Sequence, residues 1–521
     1  MFNAVSHRVC LVLAIILGIM VLGPVTGLEA ATNKQPNILF IAIDDLRPEL
    51  GCYGNSYVKS PHIDQLAQDG IIFTQAYCQS AACNPSRASL LTGMRPDTIE
   101  VWDLQDELRV TMPDVVTLPQ YFMQKGYHSI GLGKIFHNII PDKASWSEPK
   151  LYIKGFPYDP DAVYRHSENL AYQEQRKKEI TAQGKQDKYI DQFGQWYLKA
   201  TATEIVDQPD NTYYDGAQTD LAVKKLAEFK KMDKPFFFAV GYYRPHLPFN
   251  APKKYWDMYQ RKDVPLAANP FVPKDSPAMA INNLRELRGY TDFKTIARPG
   301  QGRVAEAEAR RLKHGYLACV SYIDAQVGRL LAELDTLGIR ENTIVVLWGD
   351  HGWKLGEHGS WCKMTNYEID TRVPLIISTP KTMGKKIQCN QLVEFVDVYP
   401  TLCDLVGLSI SSDLEGTSLV PLMTQPKRPW KQAVFSQFLR EGIWKAPDGQ
   451  EYMGYAIRTK RYRYVEWMNW ETKKTVAYEL YDHQTDPQEN TNIAVRPEQV
   501  KVVKKLAAEL KAGWRAARPM E

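Results

Sequence analysis

The chain has 521 residues, past the length at which a single hydrophobic core stops growing, so a large domain with a smaller companion is the expected arrangement. Its composition, 44% hydrophobic and 24% charged, is that of an ordinary globular protein and excludes a low-complexity or repeat architecture. A formal net charge of only +4 excludes the broadly basic surface of a nucleic-acid binder, while leaving room for an anionic substrate held by a few local cations.

The first 30 residues have the layout of a secretory signal peptide. Arg8 precedes an apolar run from Val9 to Gly23, followed by Pro24 and the small residues Gly27, Ala30 and Ala31. The apolar core is about 15 residues, short of the roughly 20 that a spanning helix requires. Cleavage is therefore expected, leaving no stable membrane span. Cys10 follows His7-Arg8-Val9 rather than a small-residue lipobox, which argues against a lipoprotein. The sole Asn-x-Ser/Thr triplet is Asn84-Pro85-Ser86, and its proline disqualifies it as a glycosylation site. An exported chain without such sites points to the bacterial periplasm or the extracellular space. The cysteines other than Cys10 and Cys83 allow many pairings, and no disulfide is assigned.

Asn37–Ile43 is a continuous, β-branched apolar run, the pattern of a strand buried on both faces of a parallel sheet, and it ends abruptly in Asp44-Asp45. Cys83-Asn84-Pro85-Ser86-Arg87 then opens a helix-like stretch. Pro85 suits a first helical turn, which sets Cys83 at the positive end of the helix dipole, where a developing anion is stabilised. From these residues alone Cys83 is either a buried thiol ahead of a helix or a thiolate nucleophile, although its spacing to Arg87 is short for a thiolate phosphatase. Tyr127 to Gly133 reads as a shorter strand delivering Lys134 and His137. Residues 141–215 and 251–303 are polar, proline-punctuated and weakly periodic, and read as long insertions over the rim of the sheet, where specificity tends to reside. Between them Pro235 to Val240 is a second apolar run, leading through Gly241-Tyr242-Tyr243-Arg244-Pro245 to His246. A long helix carries Val320, Ile323, Val327, Leu330, Leu331 and Leu334 on one stripe. A third run, Thr343 to Trp348, ends in Gly349-Asp350-His351-Gly352. Around Pro426 to Pro429 the chain becomes basic and turn-rich, which suggests a boundary. Beyond it, Glu451 to Trp467 holds alternating, tyrosine-rich strand material. Residues 497–515 form an amphipathic helix opened by Pro497, with Val502, Val503, Leu506 and Leu510 on one side.

Strands alternating with helices imply an α/β sheet, in which ligands bind outside the carboxyl ends of the strands. Asp44/Asp45, Lys134, His246 and Asp350/His351 are thereby expected on one rim. Three carboxylates gathered there would repel one another and shift upward in pKa; a hard divalent cation, Ca²⁺ or Mg²⁺, removes the difficulty. A water-facing strand-end cap remains the simpler reading of any one aspartate taken singly. Likewise Lys134 and Lys363 alone read as solvated cations, and His246 as a hydrogen-bonded loop histidine.

The eleven residues Cys83 to Gly93 resemble the signature of the type I, formylglycine-dependent sulfatases. The likeness extends in consistent order over roughly residues 36–495. It includes Asp44-Asp45-Leu46-Arg47-Pro48, Gly51-Cys52-Tyr53-Gly54, Arg95-Pro96-Asp97-Thr98, Gly133-Lys134-Ile135-Phe136-His137 and Pro245-His246-Leu247-Pro248-Phe249. Asp350-His351-Gly352-Trp353, continuing through Gly356-Glu357-His358-Gly359 to Lys363, belongs to it as well. So do Met453 to Thr459, and Glu479-Leu480-Tyr481-Asp482 with Asp486-Pro487. All are similar to the iduronate-2-sulfatase branch of the family.

The resemblance implies an alkaline-phosphatase-superfamily sandwich: a large mixed, mostly parallel sheet flanked by helices, and a small C-terminal antiparallel sheet with a packed helix. With the signal peptide at 1–30, it implies a catalytic domain over 31–428 and a C-terminal α+β subdomain over 429–521. It further implies that a formylglycine-generating maturation enzyme oxidises Cys83 to 3-oxoalanine (formylglycine). One Ca²⁺ per chain would be held by Asp44, Asp45, Asp350, His351 and an oxygen of modified Cys83. One hydroxyl of the hydrated aldehyde would attack sulfur and expel the sugar alcohol. The other would then lose its proton, to His137, so that sulfate is eliminated and the aldehyde re-forms. Arg87 would orient the hydrate, Lys134 and Lys363 would neutralise the sulfate oxygens, and His246 would protonate the leaving alcohol. Trp353 and His358 read as supporting or substrate-facing. The implied activity is that of an exo-acting sulfuric ester hydrolase acting on a sulfated oligo- or polysaccharide, a glycosaminoglycan fragment among the candidates. Two alternatives remain: a phosphonate or phosphodiester hydrolase of the same superfamily, and a sulfated-glycan-binding protein that never receives the modification.

Overall fold

A computed structural model describes residues 35–137, 140–151, 153, 156, 163–185 and 198–519. The signal-peptide reading of residues 1–30 lies outside them. Asn37–Ile43 forms the first strand, β1; β2 is Ile71–Tyr77, β3 His128–Gly133, β4 Thr203–Val206 and β5 Phe236–Tyr242. They are followed by β6 (Phe249–Pro252), β7 (Thr343–Gly349), β8 (Arg372–Val373), β9 (Leu375–Ser378) and β10 (Ile387–Glu394). The tail contributes β11 (Ala433–Arg440), β12 (Tyr452–Thr459), β13 (Tyr462–Asn469) and β14 (Thr475–Asp482).

The large sheet has the order β10-β2-β9-β7-β1-β5-β3, with β8 beside β2. β1 lies parallel between β5 and β7, and β9 runs antiparallel to both β7 and β2, so the sheet is mixed but mostly parallel. The continuous apolar runs are what a strand covered on both faces requires. Along β1, Leu39, Ile41 and Ile43 join the core on one side of the sheet, while Ile38, Phe40 and Ala42 join the core on the other. The helix Glu306–Thr336 packs the first core through Val320, Ile323, Val327, Leu330 and Leu334.

Register decides where the polar residues emerge. Ile43 pairs with Tyr242 on one side and with Gly349 on the other, while Gly133 pairs with Gly241. Asp44, Asp350 and Lys134 therefore leave the sheet at one level. Close approach at this edge depends on glycine: a Cβ on Gly241 would lie 2.1 Å from the Lys134 carbonyl oxygen.

The segment 141–215, read from its composition as a weakly periodic insertion over the rim, contains the helix Ser167–Ala182. Of its 16 residues only Asn169, Gln173 and Ile180 are buried, so no apolar stripe announces it. At the other end of the chain β11-β12-β13-β14 form an antiparallel meander. The helix Val500–Ala516 covers one face of it, with Leu506 packed among Ile457, Tyr464 and Leu480. No helix among the described residues is long and apolar enough to cross a membrane.

Candidate active site

Cys83 is the first residue of the helix Cys83–Thr92, all ten residues of which are buried. Gly93, in the left-handed conformation, ends this helix. The Cys83 thiol lies 3.5 Å from Asp44 Oδ1 and 3.2 Å from His351 Nε2. Side-chain donors of Asp44, Cys83, Asp350 and His351 all fall within 4.8 Å of one another, and all four residues are buried. Asp45 adjoins them, with Oδ1 3.5 Å from His351 Nε2 and its backbone N–H donating to Asp350 Oδ1. Its φ of +58° marks a strained backbone. The His351 Nδ1 faces the Gly352 carbonyl at 3.0 Å, which turns Nε2 toward the carboxylates. This donor set is compatible with a bound divalent cation.

Cations surround the cluster. Arg87 donates to Asp350 Oδ2 at 2.9 Å, to Asp44 Oδ1 at 3.4 Å and to the Lys134 carbonyl. Lys134 pairs with the other oxygen of Asp44. Lys363 chelates Asp45 at 2.9 and 3.0 Å, and its ammonium lies over the Trp353 ring. Burial alone would raise the Asp44 carboxyl, but Lys134, His246 and Arg87 hold it well below the usual carboxylate range. Burial wins at Asp45, pushing it up to about 6 against the pull of Lys363. The Cys83 thiol is driven well up by burial and by Asp44 against the pull of Lys134 and Lys363, the opposite of the lowered pKa a thiolate nucleophile needs.

The two expected proton-transfer residues differ in their surroundings. His137 is held well below its ordinary pKa by burial and by Lys134, hence neutral. Its Nδ1 is buried and without a hydrogen-bond partner among the described residues. His246 faces an acceptor at each nitrogen: the Leu247 carbonyl lies 2.6 Å from Nδ1 and Glu286 Oε1 lies 2.9 Å from Nε2. Both contacts are donated only by the imidazolium form.

Glu286 was not singled out from the sequence. It sits in the segment 251–303, is 4% exposed, and reaches both His246 and Lys363, the latter at 3.2 Å. Burial would raise its carboxyl, but Lys363 and His246 hold it well below its ordinary pKa. No motif surrounds it; the only hint is a lone carboxylate between Leu284 and Leu287, both of which are buried. Lys150, in the segment 141–215, is a second such residue: burial, then Arg87 and Lys134, push its ammonium down to about 8.

All the expected site residues gather here. His358 lies apart from them. Its Nε2 contacts the Gln488 carbonyl, its ring stacks edge-on against Tyr367, and it lines a separate cavity of about 540 Å³ with Arg47, Glu49 and Glu357.

The sulfatase family profile matches residues 36–408, and a profile described as N-sulphoglucosamine sulphohydrolase, C-terminal, matches residues 356–515. Iduronate 2-sulfatase of Mus musculus is 34% identical over 519 residues, covering 88% of this chain and 90% of that protein. Among solved structures, a protein in complex with its substrate D-glucosamine-2-N,6-O-disulfate superposes with a TM-score of 0.70 at 23% identity, covering 93% of this chain and 99% of that one. A phosphonate monoester hydrolase of Agrobacterium radiobacter gives 0.68 at 23% identity, covering 92% and 96%. At that identity the two structures speak for the shared fold alone.

Proposed function

The chain belongs to the sulfatase family and is a sulfuric ester hydrolase, and on that premise we propose that it removes sulfate from a sugar of a sulfated glycan, in the manner of an exo-acting iduronate-2-sulfatase. The observation that carries the reading is Cys83 at a helix start, within 3.5 Å of Asp44 and His351 and ringed by Arg87, Lys134 and Lys363. In this reading a formylglycine-generating enzyme converts Cys83 to formylglycine, whose hydrate supplies one hydroxyl as nucleophile and a second for product release. The donors fit a hard dication: two carboxylates, an imidazole turned inward by Gly352, and residue 83 converge within 4.8 Å. Asp44, Asp45, Asp350, His351 and residue 83 would hold a Ca²⁺, which when bound would supply positive charge to the nucleophile and the sulfate oxygens.

The chain's own residues do the rest. Arg87, fixed by Asp350 and by the Lys134 carbonyl, orients residue 83. Lys134 and Lys363 offset charge spreading over the sulfate oxygens. Neutral His137 accepts a proton, and His246 gives one to the departing sugar oxygen. Glu286 holds His246 in its charged form. Export by the leader at 1–30, to the bacterial periplasm or beyond, and a division near residue 428 between catalytic and C-terminal parts complete the proposal.

Released sulfate from defined sulfated disaccharides tests it. Enzyme from its native host is expected to desulfate at least one uronate-containing member, and its peptide spanning residue 83 to be lighter by the exchange of CH₂SH for CHO. An unmodified thiol in the active enzyme would overturn the nucleophile; no sulfate release from any disaccharide would overturn the substrate class.

A further inference from the structure

Lys363, read above as a cation at the sulfate, sits on a loop whose two limbs face each other. The amide of Lys354 donates to the Cys362 carbonyl at 3.2 Å, and that of Gly356 to the Ser360 carbonyl at 2.9 Å. Lys354 on the outgoing limb therefore lies across from the neighbour of Lys363 on the returning one. Both limbs meet the short helix Glu368–Thr371. Its Asp370 is wholly buried, and one oxygen, Oδ2, takes both the Lys354 ammonium and the Thr365 hydroxyl. The ammonium also donates to Thr365 Oγ1 at 2.8 Å. Carboxylate, ammonium and hydroxyl thus close a triangle that joins the outgoing limb, the returning limb and the helix.

The same segments are tied to the other parts of the site. The Met364 amide donates to the Ala81 carbonyl at 3.1 Å, and the Cys78 amide to the Thr371 carbonyl at 3.0 Å, on the stretch that leads into Cys83. The amide of Gly352, beside His351, donates to the Asp370 carbonyl at 2.7 Å.

Stability alone is a poor account of the triangle. Burying an ammonium and a carboxylate is costly, and their attraction only roughly offsets it. Burial, opposed by Asp370, holds the Lys354 ammonium below its ordinary pKa. Asp370 Oδ1 adds a further cost, being buried with no hydrogen-bond partner among the described residues. What the triangle supplies is direction. Lys363 lies between Cys362, fixed by the Lys354 amide, and Thr365, fixed by Asp370. Its ammonium reaches Asp45 at 2.9 and 3.0 Å and Glu286 at 3.2 Å, contacts that a loop shift of about 1 Å would break.

We propose that Lys354, Thr365 and Asp370 are positioning residues for the desulfation, holding Lys363 where its ammonium meets the sulfate. All three are buried and act through Lys363 rather than on the substrate. The inference rests on the reading of Lys363 given above and deepens it.

A double-mutant cycle between Asp370→Asn and Lys363→Gln tests it. Released sulfate from a 2-sulfated uronate disaccharide is the readout, and thermal unfolding checks that each variant is folded. The glutamine keeps a donor near Asp45 and Glu286 while removing the charge. Asp370→Asn alone is expected to lower kcat/KM about tenfold per folded molecule. In the Lys363→Gln background the same change is expected to cost less than about twofold, because the charge it positions is already gone. An equal factor in both backgrounds would mean that the triangle only supports the fold, and an unchanged kcat/KM in Asp370→Asn would mean that it does not reach the sulfate; either overturns the inference. Should Asp370→Asn not fold, Thr365→Val opens the triangle while leaving both charges in place, with a loss of about threefold expected and the cycle read in the same way. Where turnover is too slow to measure, calorimetric binding of inorganic sulfate closes the same cycle. Wild-type turnover by Lys363→Gln would remove the role of Lys363 and the inference together, whereas an additive cycle on a slow Lys363→Gln removes the inference alone.

Discussion

Two buried gatherings of charge in this molecule look alike by composition and differ in what shares their space. At the carboxyl end of β10, Glu394 and Asp397 meet Arg95 and Lys431, with Lys431 bonding Glu394 and both oxygens of Asp397. The remaining acceptor capacity goes to backbone N–H groups: Phe435 donates to Glu394 and Thr417 to Asp397. Every carboxylate oxygen there points at a donor within the protein, and the cluster ties β10 to the segment entering β11. At the end of β1, Asp44, Asp45 and Asp350 are also paired with cations, yet they share their space with a cysteine at a helix start and with an imidazole nitrogen turned toward them. Buried charge alone is therefore no mark of a site. The convergence of metal-type donors with a prospective nucleophile is what separates the two.

The largest expected effect breaks the comparison at the active cluster. Cys83→Ala should abolish sulfate release and leave the thermal transition close to that of the parent, because a small buried side chain is exchanged for a slightly smaller one. Turnover near the wild-type rate would remove Cys83 from the chemistry. The structural cluster should answer the other way. Lys431→Met leaves Glu394 and Asp397 buried without their ammonium, and breaking such a pair costs about 3–5 kcal/mol. Chemical denaturation should show that loss, with kcat/KM per folded molecule unchanged. A large fall in kcat/KM without a fall in stability would show that this cluster also serves catalysis.

A buried carboxylate outside both clusters sharpens the role of the cations. Asp324 accepts N–H bonds from His62 and Ile63 at the start of the helix Pro61–Gln68, but no lysine or arginine pairs with it among the described residues. Burial pushes it up to about 7 despite those bonds, whereas burial at Glu394 is overridden by Arg95 and Lys431, which bring that carboxyl down to about 2. The sign follows directly. With its folded pKa raised, Asp324 contributes nothing adverse while protonated in both states, and destabilises the fold as pH rises from about 4 through about 7, by roughly 2–4 kcal/mol. Asp324→Asn should flatten that part of the stability–pH curve. An unchanged slope would mean that the helix N–H groups alone keep the carboxylate ionised.

These contrasts also explain what was legible from residues alone. β1, β5 and β7 were readable because a strand covered on both faces must be apolar throughout, and Asp44 and Asp350 because they break those runs abruptly. The start of the cysteine helix was readable because Pro85 and the spacing to Arg87 are local. The antiparallel insertion of β9 between β7 and β2 was not, since four buried residues carry no sign of direction. Nor was the helix Ser167–Ala182, which buries too little to show a stripe. Lys150 and Glu286 were missed for another reason: their burial and partners arise only when distant segments meet.

Glu286 supplies the smallest and most discriminating prediction. Its carboxylate faces His246 Nε2 at 2.9 Å and Lys363 Nζ at 3.2 Å, so among the described residues those two side chains carry its effect to the reaction. Glu286→Gln preserves the shape and one acceptor oxygen while removing the charge that favours the imidazolium. If His246 protonates the departing sugar oxygen, the variant should lose about 10- to 100-fold in kcat on a sugar sulfate, whose alkoxide is a poor leaving group. Nitrophenyl sulfate expels a stable phenolate that needs no proton, so its kcat should fall much less, with KM altered alike for both through Lys363. A merely structural role would depress the two substrates equally, because a disordered wall harms binding and chemistry irrespective of the leaving group. The ratio of the two losses, not the size of either, therefore distinguishes a residue that positions a proton donor from one that only fills space beside it.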